Sequence, residues 1–253
     1  MPLIDVNTGA RLHYEDVGQG EPLIAIHGLL GTARRNLGRV IDWLSADYRV
    51  LGLTMRGYGE SMPKPRDFPP NFYHRDAEDV LAFMDALKIE RAHLLGFSDG
   101  GEITLVCVGK HPERFHSAIT WGAVGYFGPR LLDVITRPDY PARLAPRPED
   151  MFLHGIPNAE AFAQAWIASV RGMIDSGGDV SLSLADKITC PLLLMLGRQD
   201  TLNPEAYGRM FVERTLHGRL EMFDTGHAIH EQDWDGFRRV VGNFLKSLKA
   251  PAA

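Results

Sequence analysis

Three residues far apart in the chain are of the types that together turn a hydroxyl into a nucleophile: Ser98, Asp200 and His227. A serine hydroxyl attacks a carbonyl only when an adjacent base takes its proton. Histidine is that base near neutral pH, and a carboxylate on its far nitrogen fixes the tautomer. Ser98 lies in Gly96-Phe97-Ser98-Asp99-Gly100-Gly101, Asp200 closes Gly197-Arg198-Gln199-Asp200, and His227 follows Asp224-Thr225-Gly226. Acyl transfer also needs two backbone N–H groups aimed where the tetrahedral oxyanion forms. The glycine-flanked loop His27-Gly28-Leu29-Leu30-Gly31 is suited to one of them. The expected donors are Leu29 and Asp99, with His27 orienting the loop through hydrogen bonds rather than moving protons.

The elements that must position these groups follow from apolar runs and turn signals. His93 to Leu95 reads as a buried strand that breaks at Gly96 and resumes as a helix from Glu102. Glycines at 96 and 100 remove side chains that would collide in so tight a strand-to-helix turn, leaving Ser98 at its apex. Further strands are expected over Pro22–Ile26, Tyr48–Met55, Phe115–Trp121, Pro191–Leu196 and Leu220–Phe223, after an opening hairpin at residues 3–6 and 10–16. Helices are expected over Arg35–Leu44, residues 72–87 behind an Asn71 N-cap, and Asp235–Leu248. On the second of these, Arg75, Asp76, Glu78 and Asp79 form the solvated side. Asp200 and His227 each follow a strand, so the three residues would meet along one sheet edge. The fold expected is α/β, a doubly wound, mostly parallel sheet. Residues 1–124 and 187–253 form its core, and 125–186 an inserted, mainly helical cap. Prolines at 129, 138, 141, 146, 148 and 157 break that insertion, which holds one clear helix, Ala159–Arg171. Tyr126, Phe127, Phe152 and Trp166 are candidates to line a pocket with Gly28 and Leu30.

Composition excludes several classes. The 253 residues are 45% hydrophobic and 23% charged with a formal charge of −5, and no basic run is present to neutralise nucleic acid phosphates. No stretch of 18 apolar residues and no signal-peptide pattern occurs, so neither membrane insertion nor export is expected. Two cysteines, Cys107 and Cys190, read as free thiols of a cytoplasmic protein, a monomer or small homo-oligomer. The chemistry requires no metal or cofactor. In His227-Ala-Ile-His230-Glu231 the histidine spacing lacks a further ligand pattern. Asp224 is closer in sequence to His227 than Asp200 is, but it precedes the loop glycine and reads as a turn residue.

The His27-Gly28 loop, Arg56-Gly57-Tyr58-Gly59-Glu60-Ser61, the serine turn, Gly197-x-x-Asp200 and Gly226-His227 together resemble the α/β-hydrolase superfamily over essentially the whole chain. Thr54 departs from the aspartate many members carry there, which affects loop packing. Gly96 to Gly101 followed by Ile119-Thr120-Trp121-Gly122-Ala123 resembles, more narrowly, the biphenyl hydrolase-like proteins, of which valacyclovir hydrolase is the known example. That resemblance implies a small-molecule substrate, an ester of an α-amino acid, with Asp99 holding its ammonium. Charge supports this independently. An unpaired carboxylate about 6 Å from a developing oxyanion opposes it by roughly 3 kcal/mol at an effective dielectric near 20, and a cationic substrate cancels that cost. The alternative role for Asp99 is to complement its helix N-terminus, worth about 0.3–1 kcal/mol. Alternative activities are those of a general esterase or arylesterase, lactonase, perhydrolase or carbon–carbon bond hydrolase, and another class is a ligand-binding receptor without turnover.

Overall fold

In the computed structural model, which describes residues 2–249, the strands are β1 (Leu3–Asp5), β2 (Arg11–Val17), β3 (Pro22–Ile26), β4 (Arg49–Thr54), β5 (Ala92–Phe97), β6 (Phe115–Trp121), β7 (Leu192–Gly197) and β8 (Gly218–Phe223). The helices are α1 (Ala33–Leu44), α2 (Phe72–Ala86), α3 (Asp99–Lys110), α4 (Pro129–Ile135), α5 (Tyr140–Leu144), α6 (Pro148–His154), α7 (Ala159–Asp175), α8 (Glu205–Val212), α9 (Ile229–Gln232) and α10 (Trp234–Lys249). Successive side chains of the central strands feed opposite faces of the sheet. Leu23, Ala25, Leu95 and Phe97 join one apolar layer, closed by Leu37 and Ile41 of α1 and Phe237 and Val241 of α10. Ile24, Ile26 and Leu94 join the other, closed by Val80 and Met84 of α2 and Ile103 and Val106 of α3.

The strand order is β1-β2-β4-β3-β5-β6-β7-β8. The hairpin β1–β2 and the β2–β4 pair are antiparallel; from β4 to β8 all pairs are parallel. The fold is that of an alpha/beta hydrolase, as expected. Register carries function here. Ile26 pairs with Gly96, Phe97 with Trp121, Trp121 with Met195, and Gly197 with Phe223. Five strands, β3, β5, β6, β7 and β8, therefore release their loops along one edge, the usual place for a site in such sheets.

Several local expectations need correction. Helix α1 starts at Ala33, because the Thr32 hydroxyl caps it by accepting from Arg35 N–H at 3.2 Å. Asn71 precedes α2 without a side-chain capping bond. Asp76 and Asp79 are not on a solvated face: both are fully buried, Asp76 held by Arg66 at 2.5 Å and Asp79 by Arg56. Sequence periodicity treats such acids as surface because their arginines lie outside the helix, Arg56 directly after β4 and Arg66 in the proline-rich stretch 62–70. Between β6 and β7 there are four helices rather than one. Pro129 and Pro148 begin α4 and α6, where a missing N–H costs nothing, and α7 runs on to Asp175. Phe162, Trp166 and Val170 of α7 pack into the same apolar layer as α2 and α3.

Candidate active site

Ser98 takes φ 54° and ψ −120°, a backbone state rarely occupied by residues other than glycine. Its surroundings enforce it. Ser98 N–H donates to Trp121 O at 2.9 Å, while its own carbonyl accepts from Gly101 and Glu102 N–H at 2.8 and 3.0 Å. A Cβ on Gly96 would stand 2.1 Å from Gly100 O, so strand and helix approach this closely only without one.

The distant partners meet this hydroxyl. His227 Nε2 lies 2.8 Å from Ser98 Oγ, and His227 Nδ1–H donates to Asp200 Oδ2 at 2.8 Å. Burial opposes ionisation of Asp200, but donation from His227, Leu202 N–H (2.8 Å) and Asn203 Nδ2 (3.1 Å) outweighs it and holds the carboxyl below the usual range. Asn203 also donates to Gly122 O at 3.0 Å, tying the loop after β7 to the end of β6. A side chain on Gly122 would fall 2.7 Å from His227 Cε1, so the imidazole sits where it does because that position is bare. Asp224 is exposed, and the imidazole bonds to Asp200 instead.

The loop after β3 is held from below. His27 Nδ1–H donates to Gly28 O at 2.7 Å and His27 Nε2 accepts from Met55 N–H at 3.0 Å. Burial pushes the ring's pKa down to about 3, so it stays neutral. In a trans peptide the carbonyl and the next N–H point oppositely. Fixing Gly28 O thus fixes the direction of Leu29 N–H. Among the described residues, neither Leu29 nor Asp99 N–H has a protein partner. Thr54, at the position of the departure noted above, accepts from Ala33 N–H at 3.2 Å.

Ser98, Asp99 and His227 open onto a cavity of about 370 Å³ walled by Leu29, Leu30, Tyr140, Leu144, Trp166 and Leu202. A small inner recess adds Tyr73, Glu102, Phe127 and Leu131. Asp99 is half-buried, and its Oδ1 accepts from Tyr73 Oη–H at 2.8 Å. Burial raises its pKa, against the opposing pull of Tyr73 and the charge of Arg66. The indole N–H of Trp166 is buried without a partner. Glu102 accepts from Val124 and Gly125 N–H at 2.9 and 3.1 Å, and burial lifts its pKa to about 7.

Of the pocket candidates, Leu30, Asp99, Phe127 and Trp166 line this space. Tyr126 does not: it packs edge-on against Tyr207, ring centres 5.0 Å apart. Phe152 faces solvent at 92% exposure, on the outer side of α6. Gly28 presents only backbone, because a Cβ there would press on Ser98 Cβ at 3.0 Å. Sequence reading missed Tyr73, Glu102 and Asn203. Glu102 is one helical turn after Asp99, and Asn203 three residues after Asp200, so spacing offered a signal for both; Tyr73 offered none. His230 is a packing residue, its Nδ1 accepting from Trp121 Nε1–H at 2.9 Å. Among the described residues no three metal-ligating side chains converge, and no helix is long and apolar enough to cross a membrane.

A strained serine at a strand-to-helix turn, backed by histidine and aspartate from later loops, is the arrangement of an alpha/beta serine hydrolase. The family description "alpha/beta hydrolase fold" matches residues 21–146, and the chain belongs to that family. It is 29% identical over 245 residues to the human serine hydrolase BPHL, covering 94% of this chain and 84% of that protein. It is also 29% identical over 268 residues to the 2-hydroxy-6-oxo-6-phenylhexa-2,4-dienoate hydrolase of Comamonas testosteroni, covering 93% of this chain and 91% of that one. The solved enol-lactonase from Burkholderia xenovorans LB400 matches with a TM-score of 0.71 at 26% identity, over 97% of this chain and 100% of its own.

Proposed function

We propose that the protein hydrolyses small carboxylic esters whose acyl group carries a free α-amine, through an acyl-enzyme on Ser98. His227 takes the Ser98 proton as Oγ bonds to the ester carbon, and returns it to the alcohol oxygen as the C–O bond breaks. Water, deprotonated by the same imidazole, then releases the acid and restores the serine. Asp200 holds the imidazole with Nδ1–H outward, and the N–H groups of Leu29 and Asp99 receive the oxyanion. The carrying observation is the continuous relay, 2.8 Å from serine to imidazole and 2.8 Å from imidazole to carboxylate. The segment 125–186 serves as the cap that closes the substrate cavity. Cys107 and Cys190, both buried and free, support a reducing cytoplasmic setting.

The amine preference is supported by the charge left open at Asp99. Among the described residues it has no salt-bridge partner, and the nearby Arg66 is already engaged by Asp76. A substrate ammonium supplies the missing positive charge. Carbon–carbon cleavage is the second reading, from the dienoate hydrolase similarity. A dienoate carboxylate seated against Asp99 and Glu102 would be repelled, whereas one seated against Arg143 and Arg147 of the same cavity wall would be attracted, so the substrate panel decides between the two readings. The test is a panel of aminoacyl, simple acyl and dienoate substrates. Aminoacyl esters should turn over fastest, and Ser98→Ala should lower kcat at least about 10⁴-fold. Preferred cleavage of the dienoate, or full activity of the alanine variant, would refute the proposal.

A further inference from the structure

The turn that carries Leu29 N–H is held from two sides, and the second hold comes from a helix remote in sequence. Gly31 N–H closes the turn onto Gly28 O at 3.1 Å. Leu30 within it has φ 57°, a left-handed conformation that costs a branched, non-glycine residue about 1–2 kcal/mol. Such a state persists only where surroundings impose it. His27 anchors the Gly28 carbonyl, as described above. The Leu30 carbonyl is anchored by His154, the last residue of α6, whose Nε2–H donates to it at 3.1 Å.

His154 is fully buried, and its other nitrogen is equally committed. Nδ1 accepts from Gly59 N–H at 2.9 Å, which fixes the tautomer and leaves the proton on the nitrogen facing Leu30. Tyr58 is packed edge-on between the two histidines, 5.2 Å from His154 and 5.3 Å from His27. Burial lowers the pKa of His154, keeping the ring neutral as both bonds require. Helix α6 is itself fastened to the core: Asp150 pairs with Arg35 of α1 at 2.7 Å, and Lys64 Nζ donates to Leu153 O at 3.2 Å.

We propose that His154 is a positioning residue for hydrolysis: by holding Leu30 O it keeps the Leu29 N–H aimed at the oxyanion, so that seating of α6 and completion of the oxyanion site are one event. This inference rests on the serine-hydrolase reading above and deepens it. Its physical content is a pre-organised donor. A relaxed Leu30 would let the turn re-form with Leu29 N–H swung away, weakening transition-state binding while leaving ground-state binding unaffected.

The test compares His154→Ala, His154→Asn and His154→Gln in the full chain. Glutamine places an amide N–H near the Nε2 position and can keep the Leu30 bond; asparagine reaches only the Gly59 side. Three readings are taken: kcat and KM on a chromogenic ester, the rate of Ser98 labelling by a fluorophosphonate, and thermal unfolding. Labelling passes through a charged oxygen in the same oxyanion site and needs no knowledge of the natural substrate. Alanine and asparagine should lower kcat and the labelling rate together, by about 10- to 100-fold, with KM changed less than about 3-fold. Glutamine should recover most of both. If alanine or asparagine lowers only the melting temperature, or if glutamine is as impaired as asparagine, His154 is a packing residue and the inference is wrong. Absence of ester turnover by the wild type with labelling intact would overturn the substrate reading instead, and labelling would still decide the role of His154.

Discussion

Helices α2 and α3 lie side by side on one face of the sheet, and each carries two acids turned inward, yet the acids are treated differently. On α2, Asp76 and Asp79 are fully buried and each has its own arginine, Arg66 and Arg56. On α3, Asp99 and Glu102 have none: Asp99 is touched by the neutral Tyr73, and Glu102 by two backbone amides. A buried charge neutralised from within is part of the scaffold. One left without a counter-charge at a cavity wall is an unfavourable arrangement that a ligand can complete, and such groups collect at functional sites. The distinction separates structural acids from candidate binding acids even where burial alone does not, as for Glu102 beside Asp76 and Asp79.

The comparison can be broken most severely on the α2 side. Arg66→Met should destabilise the protein by about 3–5 kcal/mol, because it leaves buried Asp76 with only the longer ion pair to Arg75 at 3.6 Å; chemical denaturation would read this. Combining it with Asp76→Leu should restore most of the loss, whereas an additive further loss would show the pair was not the reason.

On the α3 side, Glu102→Gln should alter how stability depends on pH. The folded-state pKa of Glu102, about 7, lies above its ordinary 4.5. Its contribution is therefore full below about pH 4.5 and lost as pH rises through about 7, a change of roughly 3 kcal/mol. The variant should lack that decline, so its unfolding free energy should exceed that of the wild type increasingly towards pH 8, measured by denaturant titration at each pH.

Asp99→Asn should raise stability at neutral pH, in the same direction as Glu102→Gln, and reduce the preference for aminoacyl over simple acyl esters by on the order of 10- to 100-fold in kcat/KM. Equal losses for both substrate classes would remove the amine reading. The smallest effect is a pH trend in the same ratio. Because burial raises the Asp99 pKa, protonation should begin above the usual carboxylate range. The aminoacyl preference should therefore narrow as pH falls, while the titration of His227, common to both substrates, cancels from the ratio. A preference that is flat with pH would argue against an ionised Asp99 as its source.

Most of the strand-and-helix order was legible in the chain, because buried parallel strands need unbroken apolar runs such as Leu192–Leu196, and their helices need apolar residues at 3.6-residue spacing. The loops bearing Ser98, Asp200 and His227 were legible for the same reason: glycines and polar residues directly after such runs can only lie at a strand end. Local patterns cannot report which distant group a side chain meets. Asp76 looked solvated until Arg66, ten residues away in a proline-rich loop, was folded onto it, and Tyr126 and Phe152 looked equal to Trp166 until packing turned them elsewhere. Nor does anything near His154 announce its bond to Leu30, 124 residues away. Residue type and periodicity determine what a segment can become; the charge balance of a buried acid and the direction of an aromatic ring are properties of contacts between segments, and those were decided only when the chain closed on itself.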